Sequence, residues 1–558
     1  MIGSPDRYNA PMSAVAKLFV AIPRLTWGHL FEGTARPPTV VWAPALAVAA
    51  LLLLAPVYLA LRTVGAGEDA VDLIFRTRTL WVVARTVALM VAVMVGCIII
   101  AAPLAWLTVR TDLPWRGFWR VATMLPLALP SYIVGFAIVV GLGPRGILQG
   151  WLEASFGVER IPSIYGFPGA AFTLIIISFP YVLLPVRAAL WSMDVSLEES
   201  ARVLGRDRWQ TFRSITLPML RPAILAGGLL TALYALSDFG AVAIMRYETF
   251  TWSIFIQYGA ALNRTLAAAW SLALIVLALV VVWGENTARS TMGGRYYRSR
   301  GGAARLPEPI PLGRWRWPAL GYCGAVLAVS IGLPVVVLVY WTVRGVAAGE
   351  PLLLLWRAAA NSVGVSAMAA VLTVLCAAPI AVLAVRYPGL FSRWLERLGF
   401  VGFALPGIVI ALGLVYFGAN YAPWLYQSLA ILAVAYVTLF LPAAVGSLRT
   451  SLLQVRPEFE DAARSLGRPP LSVLLSVTLP LVRPGILTGA ALVFLLTMKE
   501  LPATLILSPI GFTTLASSIW AASQEAFFAR AAAPALLLIA ASSIPLALIT
   551  MREERRQD

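Results

Sequence analysis

Twelve apolar runs, each long enough to cross a hydrocarbon core of about 30 Å, leave this chain one solvent in which it can fold. They lie at about 41–62, 82–109, 121–143, 168–190, 223–245 and 266–284, then at 318–342, 362–385, 399–417, 427–447, 485–508 and 531–550. In lipid each backbone polar group must find its partner inside the protein, so such runs fold as helices. Composition agrees, because 60% of the 558 residues are hydrophobic and 12% charged, leaving more apolar surface than a soluble monomer tolerates in water. The expected fold class is an all-α integral membrane protein of about twelve transmembrane helices, arranged as two parallel six-helix repeats.

The formal charge of +17 is carried by arginines at span ends and in short loops, where it sets membrane orientation and points to no nucleic acid. Arg289, Arg295, Arg298, Arg300, Arg305, Arg314 and Arg316 stand in 285–317 against Glu285 and Glu308. The positive-inside rule puts that stretch in the cytoplasm, with both termini. Alternation then places Arg110, Arg116, Arg120, Arg202, Arg206, Arg208 and Arg213 inside, and Glu68, Asp69 and Asp72 outside. The expected organisation is a cytoplasmic extension at 1–40, a first half at 41–284, a basic linker at 285–317, a second half at 318–551 and a tail at 552–558. No cleavable signal pattern precedes the first run, which is expected to stay in the membrane, lipid being its neighbour.

Several chemistries lack their residues. Cys97, Cys323 and Cys376 lie in apolar runs at spacings that fit neither a disulfide framework nor a zinc site. The single histidine, His29, excludes histidine-based triads and haem or zinc schemes, and no metal ligand set is expected. The two lysines, Lys17 and Lys499, have no glycine-rich P-loop around them, so no nucleotide cofactor and no catalytic residue is expected on this chain.

Self-comparison is the most informative step. Segment 85–130, with Ala101-Ala102-Pro103, Arg110 and Leu129-Pro130, matches 361–406, with Ala377-Ala378-Pro379, Arg386 and Leu405-Pro406, at an offset of 276. Segment 180–227 matches 442–489 at an offset of 262. Six spans separate the copies, so each keeps its orientation and the halves form a covalent pseudo-dimer about an axis along the membrane normal.

The best-matched stretch is a loop. Over 197–227 against 459–489, 15 of 31 positions are identical, including Glu198/Glu460, Ala201/Ala463, Gly205/Gly467, Arg206/Arg468 and Thr216-Leu217-Pro218/Thr478-Leu479-Pro480. Glu198 and Glu199, like Glu460 and Asp461, complement the positive start of a short helix, and alanines give it a smooth flank. Gly205 and Gly467 end it where positive φ is cheap. A mere connector has no physical reason to match itself so closely.

These residues resemble the EAA loop of binding-protein-dependent importer permeases, with Ser200 standing where alanine is usual. The resemblance implies the type I ABC importer permease fold, a multi-pass protein of the plasma (inner) membrane that is itself no enzyme. It implies that Glu198, Glu199, Ala201, Gly205, Arg206, Glu460, Asp461, Ala463, Gly467 and Arg468 form coupling helices. Their partners would be two cytoplasmic ABC ATPase subunits, which bind the ATP, and an external substrate-binding protein delivers cargo. Segments Ala235–Ala241, Tyr247–Thr251 and Thr497–Thr504 are similar to the ferric iron permeases, although thiamine, polyamine and aminoethylphosphonate permeases share the architecture.

Asp238 and Glu500 match at the 262 offset, about 22 Å along their spans by helix rise. Ionisable groups at such depth face a cavity or a partner. Two readings stay open: an acidic lining that draws a cationic or metal-bearing substrate along a central path, or packing with Glu500 neutralised by Lys499 or a loop arginine. A secondary transporter driven by an ion gradient also uses repeats but leaves the paired loops unexplained. A membrane enzyme lacks any polar cluster of catalytic geometry.

Overall fold

The computed structural model describes residues 37–65, 76–144, 146–158, 160–194, 196–259, 264–296, 309–350, 355–402 and 405–554. The extension 1–36 with Lys17 and His29, the acidic loop residues Glu68, Asp69 and Asp72, and the linker residues Arg298, Arg300, Arg305 and Glu308 lie outside them, as do the last four residues. Among the described residues the architecture is all-α. Eleven helices are long and apolar enough to cross a membrane, from Thr39–Thr63 to Phe528–Pro545. The ninth expected run is the shorter helix Gly407–Tyr421, of 15 residues.

Four runs differ from the continuous helices that their hydropathy predicts. In the third and ninth, short helices Arg116–Ala122 and Leu390–Val401 come first, and the chain then breaks at a Leu-Pro pair. Pro130 and Pro406 stand extended at the N-caps of Ser131–Leu142 and Gly407–Tyr421. Proline lacks an N–H and clashes with the preceding turn, so a helix restarts there rather than running through.

The fifth and eleventh spans begin earlier than 223 and 485, at Arg208 and Leu474. Each carries a π-helical turn, Phe212–Thr216 or Leu474–Thr478, before its regular helix. They also stop earlier, at Ser237 and Met498, and the chain resumes as the short helices Gly240–Ile244 and Pro502–Leu507. The breaks fall on Asp238 and on Lys499-Glu500.

The described residues fall into two compact units that draw on both sequence halves. One comes from Met1–Thr79, Ile254–Ala273 and Val363–Phe512, the other from Leu80–Ser253, Leu274–Ser362 and Thr513–Asp558. In the first unit the opening span, Thr39–Gly65, packs on Gly407–Tyr421 of the second half. There a Cβ on Gly413 would lie 2.6 Å from that of Ala55. Helices in lipid associate through such close approach of small residues. In the second unit, Leu333–Ala347 packs on Ser131–Leu142 and on Phe528–Glu554. The repeat identifies equivalent spans, while in the packing each opening span also meets a later span of the other half, Gly407–Tyr421 or Ser131–Leu142.

Candidate functional site

The two matched loops fold into stub helices, Ser196–Val203 and Pro457–Ser465. Within each, a glutamate and the alanine three residues on share the inner face: Glu198 with Ala201, and Glu460 with Ala463, all buried. Glu199 and Asp461 are exposed. Thus only the outer acid of each pair is available to a partner. The inner one is committed to this chain.

That commitment is a latch. Arg110, the last residue of the second span, forms an ion pair with Glu198, and Thr216 Oγ1 donates to Glu198 Oε1 at 2.8 Å. In the second loop Arg386 Nη2 donates to Glu460 Oε1 at 2.9 Å, and Thr478 Oγ1 donates to the same oxygen at 3.0 Å. One carboxylate therefore ties the stub to the end of one span and to the π turn that opens another. Burial makes the tie stiff, because removing one partner of a desolvated pair strands the other charge at a cost of about 3–5 kcal/mol. Sequence reasoning used Arg110 and Arg386 as landmarks and did not place them at the site, nor Thr216 and Thr478.

The C-terminal turn is as expected. Gly205 and Gly467 have φ of +85° and +82°. Arg206 N donates to the Ala201 carbonyl and Gly205 N to that of Arg202, at 3.1 and 3.0 Å. Arg468 and Gly467 repeat this on Ala463 and Arg464, at 3.2 and 2.9 Å. These paired bonds are a Schellman motif, which satisfies the last carbonyls and swings the chain away. The Arg206 and Arg468 side chains clasp their own loops, donating to Ser214 Oγ at 2.7 Å and Ser476 Oγ at 2.8 Å.

Beside the exposed acids Glu199 and Asp461, the stubs offer large apolar side chains outward. Leu204 and Leu466 are 83% and 82% exposed, beside exposed Val203 and Phe459. Large side chains left in water at one matched position on a helical knob mark a contact surface for another protein. Sequence matching carried Leu204/Leu466 as an identity without assigning it that role.

The two deep acids are placed alike within their own units. Asp238 is buried, and its Oδ2 accepts the Ala241 amide at 2.9 Å while its carbonyl accepts Thr251 Oγ1 at 2.6 Å. Glu500 Oε1 accepts the Ala503 amide at 3.2 Å, and its carbonyl accepts Thr504 Oγ1 at 2.7 Å. Each carboxylate thus meets the positive start of the short helix after the break, a favourable place for negative charge. A side chain at Gly407 would collide with the Glu500 carboxylate, so that acid also lies against the start of the ninth span.

Residues 98–284 and 357–557 each match the model of the binding-protein-dependent transport system inner membrane component. The Fe(3+)-transport system permease protein FbpB 2 of Haemophilus influenzae is 36% identical over 520 residues, which span 92% of this chain and 98% of that protein. The ferric transport system permease protein FbpB of Actinobacillus pleuropneumoniae is 25% identical over 417 residues, 70% of this chain and 59% of that one. The molybdenum transport system permease protein ModB of Escherichia coli is 37% identical over 137 residues, 25% of this chain and 58% of its own length. This chain thus spans less than two thirds of the latter two. Two copies of one domain, each holding a stub latched in the same way, and a relative matched nearly end to end place this chain in the family of inner membrane components of binding-protein-dependent transport systems.

Proposed function

We propose that this ABC permease carries ferric iron inward, receiving it from an external binding protein and moving it when two ATPase subunits close on the cytoplasmic stubs. The observation that carries the coupling reading is the double latch. A partner that pushes on Leu204 or Leu466 moves a helix tied through one carboxylate to two spans, so force reaches the membrane domain without slack. In this reading ATP stays with the partner subunits, this chain is non-catalytic, and both termini are cytoplasmic, as the arginine distribution supports.

The cargo reading rests on the near full-length similarity to a permease named for Fe(3+) transport. Asp238 and Glu500 then line the substrate path and bias it towards positive charge. The test is reconstitution with the ATPase and binding protein, with uptake of radioactive ferric iron measured against thiamine and a polyamine. ATP-dependent iron uptake that slows in Asp238→Asn and Glu500→Gln, most in the double variant, supports the reading. Uptake of another cargo, or wild-type iron uptake by the double variant, refutes the cargo or the lining respectively. A cysteine at position 298 that reacts with an impermeant reagent in intact cells would overturn the orientation.

A further inference from the structure

Behind the first stub lies a cavity of about 990 Å³ whose apolar walls the latch, the docking face and the deep acids do not use. We infer that it holds the acyl chains of one anionic phospholipid, whose phosphate sits on Arg202 and Arg208. The walls are apolar side chains of four spans, among them Trp106, Leu190, Leu220, Ile224, Ala319 and Tyr322. Its volume is at the upper end of the roughly 300–1,000 Å³ typical of small-molecule sites.

The roof is preformed by the end of the linker. Ile310 N donates to the Arg110 carbonyl at 2.8 Å, Asp112 N to the Ile310 carbonyl at 3.2 Å, and Leu312 N to Asp112 Oδ1 at 2.8 Å. Tyr322 Oη fixes a wall by donating to the Ile100 carbonyl at 2.8 Å. These bonds keep the space open rather than letting it collapse.

Charge selects the occupant. Glu198 lines the cavity but is engaged by Arg110 and Thr216. Among the described residues neither Arg202 nor Arg208 has an acidic partner, and both are exposed beside exposed Trp209 and Trp315. These two guanidinium groups and two indoles line one cavity where the second span ends and the seventh begins, the boundary at which tryptophan and anionic headgroups meet. Val203 and Leu204, the exposed pair assigned to docking, do not line the cavity.

The site is single. At the 262 offset Pro470 and Leu471 replace Arg208 and Trp209. Arg464, which replaces Arg202, pairs with Asp461 at 3.1 Å. One lipid per chain is therefore expected, its phosphate held by arginines of the first half.

The test is native mass spectrometry of the full-length chain, with phosphatidylglycerol or phosphatidylcholine titrated in mild detergent. The expected result is one retained phosphatidylglycerol per chain, at concentrations where phosphatidylcholine is not retained. Ala319→Phe, which fills the cavity, should lower occupancy about tenfold, and Arg202→Gln with Arg208→Gln should remove the preference for the anionic lipid. Should Ala319→Phe fail to insert, the arginine pair still decides the matter, since it leaves the apolar walls intact. Equal retention of the two lipids, two equally tight lipids per chain, or displacement of the lipid by bound ATPase subunits would overturn the inference.

Discussion

The two stub loops share one latch but not one environment. In the first, Arg110 and Glu198 are 3% and 4% exposed, and the linker end lies on them through the pairing of Ile310 with Arg110. In the second, Arg386 and Glu460 are 15% and 10% exposed, and Arg464 approaches the same acid at 4.0 Å. The first loop also closes with an Asp207–Gln210 capping box, where the second has Pro469-Pro470. Equivalent residues therefore do equivalent work at different stiffness. Two stubs that look alike from outside are unequal inside.

The largest expected effect separates them. Glu198→Ala strands Arg110 in a dry site, at a cost of about 3–5 kcal/mol, whereas in Glu460→Ala water reaches Arg386 and the cost is nearer 1 kcal/mol. Coupled uptake in proteoliposomes should fall at least about tenfold in the first variant and about threefold in the second. Equal losses would break the comparison. Replacing Arg110 and Glu198 together by methionine should recover much of the stability, because an apolar pair of similar volume removes both desolvation penalties.

The next effect should be the same in both loops. Gly205→Val and Gly467→Val force a β-branched residue to positive φ, a cost of about 1–2 kcal/mol. No neighbour lies within 4 Å of a Cβ at either position, so backbone strain alone acts. ATPase-subunit pull-down should weaken alike in the two variants while membrane insertion persists. An effect confined to one loop would show that the partner reads the stubs differently.

Asp207→Ala removes a helix cap worth about 1 kcal/mol. Hydrogen exchange should quicken over 207–216 and stay unchanged over 469–478. The smallest effect is one of pH. The Ser196 amide donates to Asp194 Oδ1 at 3.0 Å and holds that carboxyl below its ordinary value of 3.8. A depressed folded-state pKa contributes stability above the unfolded value and loses it as pH falls through the folded one. Exchange at the first stub should thus rise slightly below about pH 4, with no matching change at the second, where Arg456 stands in place of Asp194.

Much of this was legible in the chain itself. The stub helices and their glycine stops follow from charge and self-matching, and the structure has them where those signals point, whereas hydropathy gives the number of spans but not the bounds of four of them. The latch did not follow. Arg110 and Arg386 match at the 276 offset and the loops at 262, so nothing in the alignment links the arginine to the acid. The breaks at Asp238 and Glu500 were hidden for another reason. Hydropathy registers one ionisable residue in an apolar run and is blind to a carboxylate replacing the backbone bonds of a helix that has stopped. The exchange of opening spans was also invisible, because repeats reveal equivalence and packing decides partnership.

That exchange has a consequence for how the protein is made. The opening span leaves the ribosome hundreds of residues before Gly407–Tyr421, the helix whose small-residue groove it fills. Until then it must wait in the bilayer with that face covered by lipid or by an insertase. A gene cut within the linker would yield two polypeptides, neither able to complete a compact unit alone. Assembly of this permease is therefore a reunion late in synthesis, and its fusion into one chain guarantees that both participants are present.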